Sequence, residues 1–146
     1  MLNHALGALA ADIGRRACVT AEDVQRLRRK VLPDGLASRA EADALIAIDR
    51  TAPDADAAWE DFLVEALVDF VVWTSRPTGY VDADTTDWLV GSLSGEGRPL
   101  GAAQRIVFEI IREAEHVDEG LLVFALRSAH GRGRFSAEFG AVAGAA

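Results

Sequence analysis

Apolar residues recur along this chain every three or four positions, and two-residue alternation is hard to find, so the pattern predicts an all-α fold. A first helix is expected over Leu2 to Arg16, with Leu6, Leu9 and Ile13 on one face. Thr20-Ala21-Glu22-Asp23 has the form of a capping box, in which a hydroxyl caps the helix and an acid three positions on reaches back. The helix it opens carries Val24, Leu27 and Val31 until Pro33-Asp34-Gly35 stops it. Ser38-Arg39-Ala40-Glu41 is a second capping box and opens a third helix through Leu45, Ile46 and Ile48, ending before Pro53.

The longest helix is expected from Ala57 to Ser75, burying Trp59, Phe62, Leu63, Leu67, Phe70 and Val71 as the centre of a bundle. Pro77-Thr78-Gly79 breaks it, and Asp82 caps a fifth helix holding Trp88, Leu89 and Leu93. After Gly95, Gly97 and Pro99, a sixth carries Ile106, Val107, Ile110 and Ile111, and a seventh carries Leu121, Leu122, Phe124, Ala125 and Leu126. The expected architecture is one all-helical domain over residues 1–130, a compact bundle of six to seven helices built from helix-turn-helix units. Residues 131–146, rich in Gly, Arg and Ala, read as a flexible tail.

Fifteen basic residues stand against 23 acidic ones, a net charge of −8, which repels phosphate backbones and anionic lipid and so argues against nucleic-acid binding. Cys18 is the lone cysteine, which excludes an intramolecular disulfide and any zinc site of several thiolates, and points to a reducing, cytoplasmic setting. The apolar patch Leu2 to Ala11 lacks the cationic flank of a secretory leader. Phe62 to Trp73, the most apolar stretch, is interrupted by Glu65 and Asp69 and is shorter than the roughly 20 residues that span a bilayer.

Three segments align on a glycine: Pro33-Asp34-Gly35, Pro77-Thr78-Gly79 and Gly95-Glu96-Gly97. Ten residues after the glycine stand Leu45, Leu89 and Val107, as expected of repeated helix-turn-helix units, with Ser38 or Asp82 as the cap. This arrangement resembles the EF-hand helix-loop-helix and, in its Asp-Gly then Ser-x-x-Glu form, the tellurite-resistance TerB-type helical domain. The EF-hand pattern places oxygen ligands at loop positions 1, 3 and 5, glycine at 6 and a bidentate Glu at 12. With Gly35 at position 6, Lys30 falls at 1, Leu32 at 3, Asp34 at 5, Ser38 at 9 and Glu41 at 12. The scaffold positions match and half the ligands do not. The metal ligands that the resemblance implies are Asp34, Ser38 and Glu41. The Gly79 loop has Arg76 where a ligand belongs, and the Gly97 loop lacks the closing acid.

Asp61, Glu65 and Asp69 fall at four-residue spacing, one acidic stripe that suits a cation, a basic partner or plain solvent exposure. Glu113 and His116 stand three apart, the half-motif of carboxylate-bridged di-iron bundles, but the chain has no second Glu-x-x-His. His116 near a helix C-terminus is expected as a dipole contact. Arg15, Arg16, Arg26, Arg28, Arg29 and Lys30 gather basic charge early in the chain, and Arg132 and Arg134 alternate with glycine near its end. Trp59 and Trp73, fourteen apart on one helix, are expected as core anchors. Tyr80 and Trp88 are candidate contact residues.

Gly91-Ser92-Leu93-Ser94-Gly95 puts leucine where a nucleophile-elbow serine belongs, and there is no phosphate-binding glycine loop. The expected function is therefore a non-catalytic helical interaction or scaffold module that binds a protein partner or its own copy through Tyr80, Trp88 and the Asp61, Glu65, Asp69 stripe. No cofactor, nucleic acid or membrane is expected. Two alternatives stand beside it: a divalent-metal-binding regulator using Asp34, Ser38 and Glu41, and a small enzyme or small-molecule binder with an acidic pocket of Glu65, Asp69 and Glu113 or His116.

Overall fold

Asn3, Thr20, Ser38, Asp56, Asp82 and Asp118 each turn a side-chain oxygen onto backbone N–H groups of the turn that follows, and so open six of the seven α-helices among the described residues. In a computed structural model, which describes residues 3–95 and 100–128, these helices are α1 (His4–Arg16), α2 (Ala21–Arg26), α3 (Arg39–Thr51), α4 (Ala57–Val68), α5 (Ala83–Ser94), α6 (Ala103–Glu113) and α7 (119–128). The fold is all-α, and among the described residues no helix is long and apolar enough to cross a membrane. The expected tail and most of the Gly97 loop lie outside the described residues.

Several caps match the sequence reading closely. Thr20 and Asp23 form the full capping box, and Asp23 also takes a two-toothed contact from Arg16. Ser38 accepts from the Glu41 N–H, but the Glu41 carboxylate reaches one residue further back than expected, to the N–H of Ala37. At Asp82, hydrogen bonds donated by Thr85 hold the carboxyl below its usual pKa.

Two helices end in a wider turn. α2 continues as a π-helical turn, Leu27–Val31, and α4 as another, Asp69–Thr74, with hydrogen bonds reaching back five residues, from Leu32 to Leu27 and from Ser75 to Phe70. The second overturns one expectation. Each π turn holds an extra residue, so positions within and beyond it rotate off the α-helical stripe: Trp59 is 1% exposed, whereas Trp73, inside the second turn, is 46% exposed and is no core anchor.

Among the described residues four two-residue strands, too short to leave an alternating pattern, tie the loops together in pairs. β1 (Cys18–Val19) runs parallel to β2 (Asp54–Ala55), and β3 (Tyr80–Val81) runs parallel to β4 (His116–Val117). Each pair is extended by the next cap residue, Asp56 N–H donating to Val19 and Asp118 N–H to Val81, both at 2.8 Å. Adding 62 to the numbers of β1 and β2 gives those of β3 and β4. The same shift carries α1 onto the end of α4 and its π turn, α2 onto α5, α3 onto α6 and α4 onto α7. Buried Leu27, Leu45, Ile48 and Trp59 map onto buried Leu89, Val107, Ile110 and Leu121.

This register corrects the glycine alignment. Gly35 with Gly97, and Leu45 with Val107, do stand 62 apart, but Gly79 belongs elsewhere in the repeat. Its counterpart is Ala17, the C-cap of α1, and both are left-handed, Ala17 at φ +56° and Gly79 at φ +83°. A side chain is strained there and glycine is not. Ala17→Gly is expected to raise the unfolding free energy by about 0.5–1 kcal/mol, and Gly79→Ala to lower it by about 1–2 kcal/mol. Thermal unfolding of the pair checks this; changes of the same sign contradict the equivalence.

The core is continuous. α1 packs on α3, α2 on α4, and α4 on α6, around Leu6, Ile13, Leu27, Leu45, Leu63, Leu67, Leu89 and Ile106, all essentially inaccessible. That burial is the main source of stability.

Candidate functional site

Helical spacing puts Asp61, Glu65 and Asp69 in one exposed row on α4 and the start of its π turn, as the sequence indicates. A second row, Arg105, Glu109 and Glu113, has the same spacing on α6 and faces the first because α4 and α6 pack together. Between them lies a solvent-open groove of about 360 Å³, floored by buried Val64 and Val68 and closed at one end by Trp73. The α6 row was missed because its signal, charges at i and i+4, means nothing until the partner helix is known.

Charge is distributed unevenly along the groove. At one end Arg105 bridges Glu60 at 2.9 Å and Asp61 at 2.8 Å, which favours its guanidinium form still further. In the middle Arg28 meets Glu65 with two hydrogen bonds of 3.1 Å and lies over the Phe62 ring, while Arg112 takes Glu109 at 2.9 Å. These pairs are largely exposed and contribute little to stability. At the other end no cation of the described residues pairs with Asp69 or Glu113, and Glu113 accepts a hydrogen bond from the Trp73 indole at 3.0 Å.

Glu65, Asp69 and Glu113, named together as an acidic pocket, thus do share one groove, and all three are exposed. His116 does not line it. α6 ends at Glu113, Ala114 turns to extended backbone at ψ 147°, and the N–H groups of Glu115 and His116 donate to the Gly79 carbonyl. His116 is therefore a strand residue beside Tyr80, with ring centroids 5.7 Å apart, and shares no helix face with Glu113. The expected contact with a helix dipole is absent for the same reason.

The Gly35 loop lies next to the groove. Asp34, Gly35, Arg28, Glu65 and Asp69 line a neighbouring recess, and a Cβ built on Gly35 would stand 3.5 Å from an Asp69 carboxylate oxygen. Asp34 is exposed, whereas Ser38 and Glu41 turn away to cap α3. Among the described residues no three His, Cys, Asp or Glu side chains are grouped to hold a metal ion.

Neither Tyr80 nor Trp88 lines the acidic groove. Tyr80 is exposed. Trp88 is half-buried and engaged within the chain: its ring meets Phe70 edge-on at 6.0 Å, Arg39 covers it, and its N–H donates to Asp43. Of the basic cluster, Arg15 and Arg16 bind Asp12, Arg16 also binds Asp23, and Arg28 is the arm that crosses to Glu65. Compared with protein-family models, curated proteins and solved structures, the chain gives no significant match.

Proposed function

We propose that this protein is a non-catalytic interaction module whose α4–α6 groove takes an Arg- or Lys-bearing segment of a partner protein. The observation that carries the reading is the end of the groove where Asp69 and Glu113 flank exposed Trp73 with no cation of the described residues between them. An indole face attracts a guanidinium or ammonium group, and two carboxylates beside it supply the charge-assisted hydrogen bonds. Buried Val64 and Val68 offer apolar contact to the neighbouring side chains of such a segment.

Exposure of the three carboxylates supports recognition over acid-base chemistry, which draws on groups tuned by removal from water. The free, half-buried thiol of Cys18 fits a reducing, cytoplasmic setting.

The test is a titration with a fluorescently labelled helical peptide carrying Arg and Leu on one face, read by anisotropy at low and high salt. Charge reversal at Asp69 and Glu113 together is expected to weaken binding about tenfold or more, and Trp73→Ala to weaken it several-fold. Salt should weaken the parent more than the reversed variant. Equal affinities for parent and reversed variant, with unchanged circular dichroism, would remove the groove as the site.

A further inference from the structure

The 62-residue shift aligns α7 with α4, and the two helices differ on the face that α4 gives to α6. There Glu60 and Asp61 bind Arg105, and Val64 is 5% exposed. The same three positions of α7 are Leu122, Val123 and Leu126, exposed by 40%, 40% and 70%. Two acidic residues and a buried valine that meet a helix in the first half thus correspond to three apolar residues that meet solvent in the second. Single exposed apolar side chains are ordinary, but three on one arc of one helix, opposite buried Leu121 and Ala125, form an unpartnered face.

We propose that this face is a two-fold interface between two copies of this chain, formed by α7 packing antiparallel on α7. The charges that bracket the patch select that occupant. Glu119 and Arg127, both exposed, lie at either end of the same arc, four residues before and four after Val123. An antiparallel crossing at Val123 sets each Glu119 opposite the other copy's Arg127 and stacks the three apolar residues between the two ion pairs. A parallel pairing sets like charges together. An isologous contact also closes on itself, whereas a heterologous one that used the basic residues around Arg26 and Lys30 would oppose cations to an apolar surface.

Sedimentation velocity of the full chain over a wide concentration range tests this. The parent is expected to reach the dimer mass, Leu126→Glu to remain monomeric, Glu119→Arg to weaken the dimer about tenfold, and Glu119→Arg with Arg127→Glu to restore it. Circular dichroism confirms that each variant folds. A parent that stays monomeric at every concentration overturns the proposal. A Leu126→Glu dimer as tight as the parent's, or a charge swap that fails to restore the loss, overturns it as well.

Discussion

Trp59→Ala is expected to lower the unfolding free energy by about 3–5 kcal/mol, the upper range for a single truncation of a buried side chain. The side chain is 1% exposed, meets Phe62 at a centroid distance of 6.1 Å, and donates its indole N–H to Asp49 at 2.9 Å. Truncation therefore opens a cavity and leaves a half-buried carboxylate short of a donor. For a chain of this size the melting temperature should fall by about 6–20 °C. Trp59→Phe, which keeps most of the volume and loses the hydrogen bond, should cost about 1–2 kcal/mol. Trp73→Ala is the comparison that matters, since nearly half of its surface is already in water and its loss should cost about 1 kcal/mol or less. Urea unfolding of the three variants measures all of this. Equal losses at the two tryptophans would mean that the π turn does not rotate Trp73 out of the core.

Glu41→Ala is expected to cost about 1.5–3 kcal/mol, the same in chelator as in millimolar Ca²⁺, Mg²⁺ or Mn²⁺. The Glu41 carboxylate is buried and accepts from the Ala37 N–H at 2.8 Å, while its own N–H donates to Ser38. Its work is to start α3 and to hold the Gly35 loop against it. An ion held by Asp34, Ser38 and Glu41 would stabilise the folded parent by mass action, and the variant would lose that increment. Melting curves with and without each ion separate the two cases. A metal-dependent rise in the parent that disappears in the variant would establish the regulator reading in place of the capping one.

Sequence made the helices visible because their evidence is local. Leu6, Leu9 and Ile13, like Val24, Leu27 and Val31, repeat at helical spacing, and Thr20, Ser38 and Asp82 are caps by their chemistry alone. The π turns were not visible, since one turn of Leu27–Val31 or Asp69–Thr74 reads equally well at four residues or five. The groove was half visible. Its α4 row lies in the spacing of Asp61, Glu65 and Asp69, but its α6 row gains meaning only from the packing of two helices distant in sequence. The repeat hid for another reason: its halves keep burial more than identity. Trp59 corresponds to Leu121 and Leu63 to Ala125, and the most readable trace is Val19-Thr20-Ala21 against Val81-Asp82-Ala83, where a strand residue precedes a cap.

The helix from Ala57 to Thr74 belongs to both halves of that repeat. Its first turns close the hairpin begun by α3, and its last turns open the hairpin finished by α5. Trp59 anchors one end and Val71 the other, both buried on a single rod. The two halves therefore share a wall and cannot be separated as modules: a cut within this rod would strip apolar cover from both at once. What looks like two units in the numbering is one cooperative body, held together by the element that each half needs in order to be complete.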